Sequence, residues 1–260
     1  MYYIDIFETV PISVIYIGTV LFILLAFEIG YQIGKFKKAR YDTPSHNAMG
    51  PMVAGFLAML AFVLAFTFNM ASTRHDLRKQ RVLDEANVIG TAYLRTDLVA
   101  EPFRTELKKN LREYVNVRIS KQGKMNVDDI IARSIALHKL LWASVVSATE
   151  NNLDQGAGLL IRSINGVIDM HEDRVMAAVY NRIPFSVWMV VYIISALAML
   201  TMGAQAGLTR SRRLIAIIPL TLAFAALITL VVDLDHPQRG MIKVSQQALI
   251  DLQNSINVSK

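Results

Sequence analysis

Residues 49–95 read MGPMVAGFLAMLAFVLAFTFNMASTRHDLRKQRVLDEANVIGTAYLR, and the two halves of this run decide the fold. The first half, 49–70, has no charged residue and carries aromatics at Phe56, Phe62, Phe66 and Phe68. A helix needs about 20 mostly apolar residues to cross a bilayer, and this run supplies them. The second half is polar, with Arg74, Arg78, Lys79 and Arg81 near its start. Even so, Val82, Ala86, Ile89 and Tyr93 recur there at the spacing of one helix face. Pro51 sits near the beginning, where a helix tolerates proline. The next proline is Pro102, and Gly90 is the only glycine after Gly55 in this run. The spacing predicts one helix of roughly 45 residues, on the order of 65–70 Å long, that leaves the membrane and continues in water.

Working outward, three more stretches are long and nearly free of charge: 10–34, whose only charge is Glu28, then 184–208 and 214–232. Trp188 and Tyr192 stand where interfacial anchors belong. A cleaved signal peptide is excluded for the first, because residues 1–9 hold Asp5 and Glu8 and no Lys or Arg. Between the second and third stretches lies a polar block, 71–183, with 17 Lys/Arg and 14 Asp/Glu. The whole chain of 260 residues is 53% hydrophobic, only 18% charged and has a mean hydropathy of +0.38. A soluble domain carries about 25% charge. The expectation is an all-α integral membrane protein with four transmembrane helices and a helical soluble bundle between the second and third spans. Its parts are a first transmembrane pair (1–70), a helical soluble domain continuous with the second span (71–183), a second transmembrane pair (184–232), and a C-terminal segment (233–260) docking on the soluble domain.

Within the polar block, Pro102 opens a helix with Phe103, Leu107, Leu111 and Tyr114 on one face, and Gln122-Gly123-Lys124 breaks it. Asn126 caps a helix reaching Val146, residues 151–158 break the chain again, and another helix runs from about Leu159 to Tyr180. Orientation follows the basic residues of the short loops. Lys35, Lys37, Lys38 and Arg40 follow the first span, Arg210, Arg212 and Arg213 follow the third, and the N-terminal tail holds none. Counting Arg74, Arg78, Lys79 and Arg81 on the other side brings the two sides close to equal, but the first span usually dominates. The expected location is a bacterial inner membrane, multi-pass, with the soluble domain on the periplasmic or extracellular side.

Several residue groups carry possible chemistry. Gly30/Gly34 and Gly203/Gly207 have the spacing that lets helix backbones approach closely in lipid. Glu28 is an intramembrane carboxylate, which suggests either a transport role or a reach toward Lys35. Phe62 and Phe66 lie one turn apart, with Asn69 and Thr73 extending the stripe toward water. Such a stripe faces lipid, packs in a core, or lines an apolar constriction that gates by dewetting. Asp233 and Asp235, with Pro237 and Gly240, follow the fourth span at once. Two carboxylates are too few for a calcium site on their own, so a turn in which they meet Arg174 or Arg182 is expected. Cysteine is absent and the five histidines show no metal-binding spacing. His171-Glu172-Asp173 points three ways from a helix. No metal, cofactor or catalytic residue is expected, and no basic stripe with interleaved aromatics marks a nucleic-acid partner.

Leu64-Ala-Phe-Thr-Phe68, Arg74, Arg78, the run from Glu85 through Asn87 to Arg95, Tyr114, Arg118, Asn165, Arg174, Arg182-Ile-Pro184 and Asp233-x-Asp235-x-Pro237-x2-Gly240 resemble the bacterial membrane proteins called the bestrophin-like domain family, long of unknown function. The resemblance covers nearly all the chain beyond the first span. Bestrophins proper are pentameric anion channels whose second membrane helix lines the pore and carries an apolar neck. They keep their soluble part in the cytoplasm, the reverse of what the loop charges give here. The resemblance implies a homo-oligomer, with a pentamer suggested, that lets small inorganic ions across the lipid bilayer. Phe62, Phe66, Asn69 and Thr73 would line the pore, with Arg74 and Arg78 as charges at its mouth favouring anions. The alternative is a non-catalytic sensor or scaffold whose soluble domain binds a partner or ligand.

Overall fold

The computed structural model of the chain describes residues 10–40, 49–119, 126–150, 155–209, 214–236 and 240–258. Every regular element among them is helical. In chain order the α-helices are α1 (Ile12–Arg40), α2 (Met49–Arg95), α3 (Phe103–Ile119), α4 (Val127–Thr149), α5 (Gln155–Val175), α6 (Phe185–Thr209), α7 (Leu214–Asp235) and α8 (Gln247–Val258). Local chemistry sets several ends. Lys37, Lys38 and Arg40 close α1, where cations compensate the dipole of a helix C-terminus. The Asn126 side chain accepts from the Val127 N–H at 2.8 Å, and Asp128 and Asp129 fill the first turn of α4.

Two differences from the sequence reading concern the polar block. Its last helix starts at Gln155, and the regular winding stops at Val175, giving way to a π-helical turn, Met176–Tyr180. The break at Gln122-Gly123-Lys124 and the first part of 151–158 lie outside the described residues. Five helical runs, one more than expected, are long and apolar enough to cross a membrane by length and composition. The extra one is α4, with a hydropathy of 1.3 against 2.1–2.7 for the others. Three of its four charges, Asp128, Asp129 and Arg133, fall in its first two turns, which leaves Lys139 as the one charge within the otherwise largely apolar Ile135–Val146.

The described residues fall into two compact units, and α2 contributes to both. The first unit combines the segments up to His75 and Arg182–Lys243. Its core joins Ile23, Phe27, Leu60, Leu64, Trp188, Met199 and Ile228. Along α1 and α6 the two glycine pairs interlock. A Cβ on Gly30 would collide with the Leu200 carbonyl oxygen, on Gly34 with that of Ala204, on Gly203 with that of Phe27 and on Gly207 with that of Tyr31. Only hydrogen fits at these four places, so the backbones meet without side chains between them.

The second unit combines Asp76–Asn181 with Val244–Lys260. Ile89, Leu107, Leu111, Tyr114, Leu137, Leu141, Leu160, Ile164 and Leu249 are fully buried in its core. The stripe Val82, Ala86, Ile89, Tyr93 supplies the contribution of α2. Burying a large aliphatic side chain is worth about 1.5–3 kcal/mol, so this core orders the unit and positions the polar groups set among it.

Candidate functional site along the second helix

Three groups of residues on α2 carry chemistry. The first is the stripe that starts in its apolar half. Phe62 is 73% exposed and Phe66 60% exposed on the chain, and Asn69 and Thr73 continue the exposed face. The other side of the same turns is buried, with Leu60, Leu64, Thr67 and Ala71 packed in the first unit. Thr67 and Thr73 bind their hydroxyls back to the carbonyls of Val63 and Asn69, at 2.6 and 2.8 Å. Those bonds satisfy the donors within the helix, and the stripe therefore presents phenyl faces followed by one amide and a methyl-bearing rim.

The second group lies at the two carboxylates that end α7. Asp235 is fully buried and accepts from the Ile183 N–H at 3.0 Å. Arg74 stands 3.8 Å from the same carboxylate, and Arg182 donates to the Asp235 carbonyl. A carboxylate at a helix C-terminus opposes the dipole. Here Asp235 reaches the residues that lead into the N-terminus of α6, where a negative charge is favoured. Pro184 supplies the first carbonyl of that helix, to the Val187 N–H at 3.0 Å. Asp233 accepts from the N–H groups of Met241 and Ile242, at 2.7 and 3.0 Å. Its described partners are thus backbone amides, where an arginine was expected. Gly240 lies so close to this carboxylate that a Cβ would strike it, which explains glycine there. Pro237 lies outside the described residues.

Arg78, expected as a charge at a pore mouth, is enclosed by its own chain. It is 4% exposed and donates to the carbonyls of Ala177 and Asn181, at 3.0 and 3.1 Å. The π-turn and the end of the helix leave such carbonyls without helical partners, and the guanidinium takes them. It holds the chain at the end of the second unit.

The third group is a buried knot around Glu85. This carboxylate is fully buried and takes Arg118 Nε at 2.8 Å, Tyr114 Oη at 3.0 Å and Arg174 Nη1. Arg174 also donates to Gln246 at 2.5 Å. Tyr114 Oη lies 3.4 Å from His171 Nδ1, and the His171 and His138 rings meet edge to face at 4.8 Å. His138 Nε2 is buried without a hydrogen-bond partner among the described residues. These groups lie outside the four spans read from the sequence. Burial alone would raise the Glu85 carboxyl, but the charges of Arg118 and Arg174 and the hydrogen bonds from Arg174 and Tyr114 hold it below its usual value. Burial, followed by the Glu85 charge, pushes the Tyr114 phenol up. Burial, followed by the Arg118 charge, lowers both histidines to about 4.

Other singled-out residues lie elsewhere. Arg95 donates to Ser163 at 2.6 Å, and Asn87 is exposed. Glu28 accepts from Gln32 at 2.5 Å, one turn along α1. Of His171, Glu172 and Asp173, only His171 is buried. Sequence reasoning passed over Gln246 and gave neither His138 nor His171 a partner. The contacts that bring in His171 and Gln246 cross 57 and 72 residues, so no local spacing announces them.

A family model described as Bestrophin-like domain matches residues 20–249. Two crystal structures of a bacterial bestrophin homolog from Klebsiella pneumoniae, each with one mutation, are similar to this chain with TM-scores of 0.64 and 0.58. Identity is 11% in both, and the likeness covers 95% of this chain and 98% and 99% of theirs. At that identity the likeness is one of fold. No curated protein matches the chain.

Proposed function

Because this chain belongs to the bestrophin-like domain family, we propose that it is a multi-pass membrane protein that assembles as a homo-oligomeric ion channel, with α2 of each copy facing the axis. The observation that carries this reading is the pair Phe62 and Phe66, left exposed on a helix whose opposite side is packed. In an assembly around an axis these rings form an apolar constriction, and an ion shedding water there meets a dewetting barrier. Asn69 and Thr73 then offer polar surface on the wider side. The stripe from Phe62 to Thr73 contains no carboxylate and the chain carries a net charge of +6, which supports anions over cations as the permeating class. Four spans, with α4 in a water-exposed helical domain, fit the lower hydropathy of α4. The loop charges support a periplasmic or extracellular side for that domain in a bacterial inner membrane, and the family resemblance supports five copies.

The test is conductance of the purified protein in planar bilayers. Phe62→Ala with Phe66→Ala is expected to raise the single-channel conductance, and a salt gradient reads the ion preference from the reversal potential. No current from either the unmodified chain or the double variant, in a preparation shown to be oligomeric, refutes the reading. A scaffold that binds a partner then becomes the better account, supported by the exposed Ile135, Leu140, Trp142 and Val146 of α4.

A further inference from the structure

The end of α1 carries a surface that conduction leaves unused. Lys35, Lys37, Lys38 and Arg40 place four cations in six residues. One or two suffice to answer the helix dipole. Among the described residues, no carboxylate pairs with any of the four. Helical geometry fixes how they face. Gly30, Tyr31 and Gly34 are buried, the two glycines against α6. At about 3.6 residues per turn, Phe36 stands on the opposite side, with Ile29, Ile33 and Arg40 near its meridian and Lys35 and Lys37 on either flank. Ile29, Ile33 and Phe36 are 46%, 51% and 66% exposed, so apolar surface leads along the helix into the cations over about 16 Å. Lys35, Phe36, Lys37 and Arg40, with Gln32 and Ile33, border an open groove of about 730 Å³.

We propose that this groove binds an anionic phospholipid, with its phosphate held by Lys35, Lys37 and Arg40 and its acyl chains along Phe36, Ile33 and Ile29. The cations complement a phosphate, and basic clusters at membrane ends attract anionic headgroups. No carboxylate in the groove is available for the ammonium group of a zwitterionic lipid, so the surface selects net negative charge. An exposed phenyl ring between the cations suits a lipid and gives nothing to a hydrated inorganic anion. The proposal requires a bilayer around α1 but does not require conduction.

The full-length protein, purified in a mild detergent, is incubated with equimolar phosphatidylglycerol and phosphatidylcholine, and retained lipid is counted by native mass spectrometry. Phosphatidylglycerol is expected in clear excess. Lys35→Gln with Lys37→Gln and Arg40→Gln should weaken its retention on the order of a hundredfold, at about fivefold per charge. The charge-preserving Lys35→Arg, Lys37→Arg and Arg40→Lys variant should retain it, which separates loss of charge from loss of fold. Phe36→Ala should weaken phosphatidylglycerol several-fold. Equal retention of the two lipids overturns the proposal, as does unchanged retention in the glutamine variant. Displacement of bound lipid by millimolar inorganic phosphate at constant ionic strength also overturns it, because the ligand is then the free anion.

Discussion

Replacing Glu85 by glutamine preserves the side-chain volume and removes one charge. The carboxylate is fully buried, and the side chains of its partners Arg118 and Arg174 are only 7% and 13% exposed. The substitution leaves two guanidiniums close together in a poorly solvated place, with an amide oxygen that neutralises neither. Breaking one buried pair by removing a partner costs about 3–5 kcal/mol. Because one carboxylate answers two cations here, the loss belongs in the upper part of that range. A folded domain has about 5–15 kcal/mol in all, and each kcal/mol shifts the melting temperature by about 2–4 °C in a chain of this size. The expected fall is therefore on the order of 10–15 °C. Hydrogen exchange read by mass spectrometry on the detergent-solubilised full chain locates the effect. Segments 107–118 and 160–175 should lose protection by about a thousandfold, while 185–209 should change little. The converse variant, Glu85→Met with Arg118→Met and Arg174→Met, should recover most of the stability, since apolar replacements of a whole buried charge group are tolerated. A melting temperature for Glu85→Gln within about 2 °C of the unmodified protein would show that water or rearrangement screens the two arginines, and the reasoning would fall.

The second unit should lose stability as pH falls from about 6.5 to about 4, because His138 and His171 stay neutral in the fold while an unfolded chain protonates them near 6.5. His171→Phe should shrink that slope, and a flat melting temperature over the window would contradict the burial of the pair; below 4.5, protonation of Glu85 adds a separate loss. Gly203→Ala forces a methyl into the Phe27 carbonyl and should cost at least about 1–3 kcal/mol, whereas Gly18→Ala, with nothing within 4 Å of the new methyl, should not lower the melting temperature. Equal effects from the two would refute the close backbone seam. Asp235→Asn should destabilise the first unit by about 1.5–3 kcal/mol, and in a cycle with Arg74→Gln the two losses should fall short of additive; strict additivity would mean that the 3.8 Å pair contributes nothing.

Much of this molecule can be read along the chain because its signals are periodic. Long apolar runs mark α1, α6 and α7, and the absence of breakers between Gly55 and Gly90 marks α2 as a single helix. Glycines four apart on two apolar runs mark surfaces able to approach closely, though spacing alone does not say that Gly203 meets the backbone at Phe27. Glu85 is harder. Family resemblance singles it out, but its partners lie 29, 33 and 89 residues away, and nothing in the polar stretch around it distinguishes a buried carboxylate from a solvated one. The partners of Arg78 are hidden for a physical reason. A cation just beyond a membrane span looks like a mouth charge, and the carbonyls that occupy it come from a π-turn that has no sequence signature. The fifth apolar helix shows the reverse. Its hydropathy reaches the range of a span, while its buried face mixes Ser134, His138 and Ser144 with the core residues Leu137, Leu141 and Val145.

The glycine seam between α1 and α6 also limits how the first unit can move. Sliding of packed helices depends on side chains that redistribute among rotamers as the surfaces pass. Along this seam there are no rotamers at Gly30, Gly34, Gly203 or Gly207, and each stands opposite a carbonyl that a displacement of part of a turn would bring into collision. The two helices therefore behave mechanically as a single double-width beam. Any change of shape in the first unit is left to contacts padded by Leu60, Leu64 and Ile228, where side chains can yield.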